Sequence, residues 1–86
     1  MPTNRLLVKD RDHNYYLFHC PGCKAAHAFD ADRWTVDREK LTASPSLLST
    51  YPDGRVCHLF MRDGKLEFLS DCYHELAGKT VPLEEL

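Results

Sequence analysis

The sequence predicts a small β-rich (α+β) domain of antiparallel hairpins with one short C-terminal helical turn, and three observations predict it. Cys20-Pro21-Gly22-Cys23 sits at the end of an apolar stretch, where a tight reversal is expected. Asp63-Gly64 separates two runs of alternating apolar residues, the pattern of a two-residue hairpin. Two further cysteines, Cys57 and Cys72, flank that hairpin. With 86 residues there is length for one core, so residues 1–86 form a single domain. A core of that size is marginal, and thiolates closed on zinc would staple it, which makes the class zinc-ribbon-like.

In chain order, Arg5 to Val8 and Tyr15 to His19 read as strands around the polar turn Asp10 to Asn14. Ala26 to Phe29 returns beside the second of these, and Trp34 to Val36 is a further short strand. Leu41 to Tyr51 holds Ser44-Pro45-Ser46 and leads into Pro52-Asp53-Gly54, so it reads as a loop packed down by Leu47 and Leu48. Val56 to Met61 and Leu66 to Ser70 form the hairpin. Asp71 to Ala77 reads as one or two helical turns, with Asp71 the N-cap and Gly78 the C′ residue. Thr80 to Leu83 is a last strand.

The cysteine pattern carries the chemistry. Two cysteines three apart on a turn aim both sulfurs at one point, and Gly22 is expected to supply the left-handed backbone of that turn. Pairing Arg62 with Lys65 sets Met61 against Leu66, Leu59 against Phe68 and Cys57 against Ser70. Side chains alternate, so Cys57, Leu59, Met61, Leu66, Phe68 and Ser70 share the more apolar face, and Cys72 continues it. His58, Phe60, Glu67, Leu69 and Asp71 lie on the other. The preferred zinc ligands are thus Cys20, Cys23, Cys57 and Cys72. His58 and His74 are alternates: Cys57 and His58 point apart on a strand, whereas Cys72 and His74 share a face if their segment is extended. Four thiolates leave no open position, so the metal is structural.

Other residues weigh less. His27, four positions after Cys23, reads as an ordinary strand histidine, with a supporting or alternate ligand role as the sharper option. His13 and His19 read as surface residues. Trp34, Phe29, Phe60 and Phe68 are expected to fill the core around the metal. Cys-Pro-Gly-Cys also resembles a dithiol redox site, but the βαβ context is absent and that reading leaves Cys57 and Cys72 unexplained. His74-Glu75 with Asp71 nearby invites a zinc hydrolase, yet no His-Glu-x-x-His, phosphate loop or nucleophile elbow is present. No catalytic residue is assigned, and the chain is expected not to be an enzyme.

The net charge of −2 becomes about −4 once four thiolates hold one Zn²⁺. No basic run appears, so composition argues against nucleic acid as a partner. The first apolar stretch, Leu6-Leu7-Val8, is too short for a signal sequence or membrane span, and reduced clustered thiols fit a cytoplasm.

Cys20-Pro-Gly-Cys23, Ser44-Pro-Ser-Leu-Leu48, Cys57-His58-x-Phe60, Asp63-Gly64-Lys65-x-x-Phe68-Leu69, Asp71-Cys72-x-His74 and Leu76-Ala-Gly-x-Thr-Val81 resemble, in order, a family of small uncharacterised proteins encoded largely by bacteriophages and prophages. The resemblance implies a phage-encoded protein in a bacterial host's cytoplasm, and adds His58 and His74 as recurrent members of the pattern. The expected function is then an accessory factor that binds a host or phage protein. The alternatives are a nucleic-acid-binding zinc-ribbon module and a Cys-x-x-Cys redox or zinc hydrolytic enzyme.

Overall fold

The computed structural model describes residues 5–86. Its strands are β1 (Val8–Lys9), β2 (Tyr15–Cys20), β3 (Ala25–Asp30), β4 (Thr35–Asp37), β5 (Thr42–Thr50), β6 (Val56–Arg62), β7 (Lys65–Phe68) and β8 (Thr80–Pro82). They form two antiparallel sheets, β1-β2-β3 and β4-β5-β6-β7-β8. Alternation along the strands turns one face of each sheet inward. Phe18 and Cys20 of β2 and Phe29 of β3 meet Leu47, Cys57, Leu59, Met61, Leu66 and Phe68 of the larger sheet in one buried cluster. Phe18 stacks on Phe29 with centroids 5.2 Å apart, and Trp34 meets Phe29 edge-on.

The β6–β7 hairpin has the register that its turn dictates. Asp63 and Gly64 both take positive φ (51° and 77°), the geometry a two-residue loop needs to follow the twist of its strands. Arg62 therefore pairs with Lys65, Met61 with Leu66 and Leu59 with Phe68. Leu59 is fully buried at the centre of this ladder. Leu59→Ala should cost about 2–5 kcal/mol through lost transfer energy and the cavity left behind, read as a lower midpoint in denaturant titration with an unchanged slope.

Three sequence-based expectations need correction. Residues 42–50 are a strand, the longest among the described residues, and not a loop. The turn formers within it are absorbed by an irregularity: Ala43 pairs with Met61 and Leu47 with Leu59, so Ser44, Pro45 and Ser46 bulge out of the ladder. Pro45, which has no N–H to donate, is tolerated there, and the Ser44–Pro45 peptide is cis. Second, no helix forms at residues 71–78. Leu69 N–H donates to His58 O and Tyr73 N–H to Val56 O, which ties the segment to β6, and it turns through three-residue bonds (Cys72 N to Leu69 O, Ala77 N to His74 O, Lys79 N to Leu76 O) instead of a helical ladder. Third, Phe60 faces outward from the core cluster, half-buried, with the Arg62 guanidinium 4.2 Å from its ring centroid. Among the described residues no helix is long and apolar enough to cross a membrane.

Candidate functional site

Strand β6 carries a different group on each face. On its inner face Cys57 meets the β2–β3 turn. Cys20 closes β2, and Lys24, at φ 57°, makes the reversal by donating its N–H to Cys20 O at 2.8 Å. The left-handed residue of the turn is thus Lys24. Gly22 is needed for room instead, because a Cβ there would fall within the His74 ring. Cys20 Sγ lies 3.9 Å from Cys57 Sγ, and Cys23 N–H donates to Cys20 Sγ at 3.4 Å. A tetrahedral ion with Zn–S bonds of about 2.3 Å holds its sulfurs about 3.8 Å apart. All four cysteines are free thiols.

The donor atoms fall into two groups that share Cys57. Those of Cys20, Cys23, His27 and Cys57 all lie within 4.8 Å of one another, as do those of Cys57, Cys72 and His74. Thiolate and imidazole donors suit zinc and other borderline or soft ions. The cluster favours one thiolate, at Cys20, and resists further negative charge: burial also pushes the Cys72 thiol up. The Cys57 thiol donating to Cys20, against the opposing effect of burial and aided by the Cys23 amide, holds the Cys20 thiol far below its ordinary range. The same contact pushes Cys57 up, as does its burial. The phenols of Tyr51 and Tyr73 are raised chiefly by hydrogen bonding to the Cys23 sulfur. So the structure brings Cys20, Cys23 and Cys57 together, and places Cys72 and His74 against Cys57, with the His74 ring also packed on Gly22 of the knuckle.

His58 belongs to neither group. On the outer face its Nδ1 lies 3.2 Å from Asp71 Oδ2, and its Nε2 lies 3.1 Å from Ser46 Oγ. With Nδ1–H donating to the carboxylate, Nε2 presents a lone pair to the serine hydroxyl. Three elements build this relay. The bulge of β5 re-aims Ser46 out of the regular pleat, and Trp34 Nε1–H holds the Ser46 carbonyl at 3.3 Å. Alternation on β6 turns His58 outward because Cys57 turns inward. Asp71 follows β7, immediately before buried Cys72. Cys72 then fixes the histidine backbone: its thiol donates to His58 O at 3.0 Å, and its sulfur accepts His58 N–H at 3.1 Å. His58 is 26% exposed and Asp71 54%, so the relay opens on the sheet surface.

A Ser-His-Asp relay is the arrangement that activates a serine hydroxyl for attack on a carbonyl carbon. Sequence reasoning missed Ser46 and the role of Asp71, because the three residues come from three elements and match no local motif. One signal was present: the predicted hairpin register already puts His58 and Asp71 on one outer face.

The sequence model of one protein family, described as Bacterial ubiquitination-like system serine protease (BubE), matches residues 1–69. That span includes Ser46 and His58 and stops two positions short of Asp71. No curated protein and no solved structure matches the chain. The family's description overturns the sequence-based expectation that the chain is not an enzyme. That expectation rested on the absence of short catalytic motifs, which a relay assembled by tertiary structure does not need.

Proposed function

The chain belongs to the BubE family of bacterial ubiquitination-like system serine proteases, and from that premise we propose that it is a serine peptidase with Ser46 as nucleophile. The observation that carries this is the continuous path from Ser46 Oγ through His58 to Asp71, at 3.1 and 3.2 Å. His58 Nε2 takes the serine proton as Oγ bonds to the scissile carbonyl carbon, then returns it to the leaving amine as the C–N bond breaks. Water, activated by the same nitrogen, cleaves the acyl ester and regenerates the hydroxyl. Asp71 holds the ring in the tautomer that leaves Nε2 basic and stabilises the imidazolium once formed.

The substrate of this reading is a polypeptide of the ubiquitination-like system, which gives the expected protein-binding role a chemical content. Leu48 pairs across from His58 and is 53% exposed, so apolar surface borders the nucleophile. Strand β4 pairs only with Thr42 to Ser44, and an extended substrate has the edge of β5 beyond the bulge to lie along. On the opposite face the thiols of Cys20, Cys23 and Cys57 hold a zinc ion, with a fourth ligand from among Cys72, His74 and His27. Its part is architectural, since β6 separates it from the hydroxyl that attacks. The reduced thiols fit a bacterial cytoplasm, the setting that the phage-protein resemblance implies.

A fluorophosphonate probe tests the nucleophile. The expected result is one adduct per chain by intact mass, mapped to Ser46 by peptide sequencing and absent from Ser46→Ala. An adduct on Ser49 or Ser70 instead, or none with folded protein, would overturn the assignment.

A further inference from the structure

We infer that the metal is coordinated by Cys20, Cys23, Cys57 and His27, and that Cys72 and His74 support this site from outside it. The inference rests on the reading that the thiol cluster binds a metal, and it names the ligands. Four donor atoms mutually within 4.8 Å are the number a closed tetrahedral site requires, and these residues supply them.

His27 provides the independent observation. Its side chain is among the buried polar groups of the core, 9% exposed, and its Nε2 has no hydrogen-bond partner. A buried imidazole nitrogen without a partner is unfavourable, and a cation among the thiolates is the partner that removes the penalty. The other ring nitrogen is already engaged, with Nδ1 lying 3.4 Å from Ser49 Oγ. Metal-bound histidines typically have their second nitrogen held in this way, which fixes the ring and its tautomer. Ser49 itself pairs with Cys57 across β5 and β6, so one ladder step positions a ligand and the residue that orients another.

The two remaining candidates are occupied. Cys72 donates its S–H to His58 O, the bond of a protonated thiol, while its sulfur accepts the amide of the same residue. His74 Nδ1 accepts the Leu76 N–H at 3.3 Å, which puts the ring proton on Nε2. That proton points at Cys57 Sγ, 3.4 Å away. His74 therefore acts as a donor to a thiolate ligand, easing its charge, and not as a ligand. Gly22 exists where it does to admit this ring.

X-ray absorption at the zinc edge of the wild-type protein is the direct test. The expected first coordination shell is three sulfurs and one nitrogen; four sulfurs would overturn the inference while leaving metal binding intact. Metal-free wild-type protein, folded as purified from zinc-supplemented culture, would overturn both. Variants add a second measurement by elemental analysis. His27→Ala should lose stoichiometric zinc, Cys72→Ser should retain it, and His74→Ala should retain it with affinity weakened about 10–100-fold. Loss of zinc from Cys72→Ser alongside its retention in His27→Ala would exchange the two roles and refute the ligand set.

Discussion

Ser46→Ala should lower peptide hydrolysis by about 10⁴-fold or more while leaving the fold intact. Removing the nucleophile of a triad removes the covalent route altogether, and what remains is catalysis by binding and positioning. The stability cost is small, because Ser46 stands in a bulge outside the regular ladder and its hydroxyl is at a half-buried surface. A change within about 1 kcal/mol is expected there. Asp71→Asn should reduce turnover by about 10²–10⁴-fold, the range for general acid–base contributions. Asp71 is more than half exposed, so water shares in stabilising the imidazolium and the lower part of that range is favoured. Turnover of a protein substrate from the conjugation system, measured beside thermal melts of each variant, checks both. Full activity in a folded Ser46→Ala protein would remove Ser46 from the chemistry.

Stripping the proposed zinc should unfold the chain. Cys23 and Cys57 are 57 − 23 = 34 positions apart, so a shared ion closes a long loop and joins the two sheets. Structural zinc in small domains contributes about 10–16 kcal/mol at neutral pH, against a total stability of about 5–15 kcal/mol for an ordinary domain. Losing it exceeds any reasonable margin. A strong chelator, or Cys20→Ser, should therefore abolish the cooperative melt followed by circular dichroism, and hydrolysis with it. An apo protein melting at the temperature of the holo form would show that the hydrophobic cluster suffices without a metal.

How much of this was legible depends on how local each instruction is. The β6–β7 register was readable because Asp63-Gly64 admits one loop geometry, after which every facing pair follows. The pairing of Cys20 with Cys23 was readable from the Cys-Pro-Gly-Cys turn itself, and the alternation of β6 put Cys57 on the inward face that meets it. β5 was hidden because Ser44-Pro45-Ser46 has turn chemistry, and only the tertiary ladder shows that a bulge absorbs it. The C-terminal helix was wrongly expected for a related reason: the capping residues favoured it, but tertiary bonds to β6 hold the segment in successive three-residue turns. Gly22 shows that a correct residue can carry the wrong reason, since its value is space for His74 and not backbone conformation. The relay was least legible of all, being assembled from a bulge, a strand and a post-strand turn.

Cys57 and His58 are consecutive on β6, and Cys72 grips the backbone of the histidine that contacts Ser46. Inhibitor profiling, the usual first classification of a peptidase, is therefore ambiguous for this architecture. Serine-directed phosphonylating agents, chelators and thiol alkylators acting through half-buried Cys23 would each abolish hydrolysis. Taken singly, they would suggest a serine, a metallo- and a cysteine enzyme. The three differ in sequence of events: the serine adduct forms on folded protein, whereas the other two agents act by dissolving the platform on which the hydroxyl is aligned. Timing of inactivation against loss of structure, rather than sensitivity itself, is what distinguishes the attacking group from its foundation.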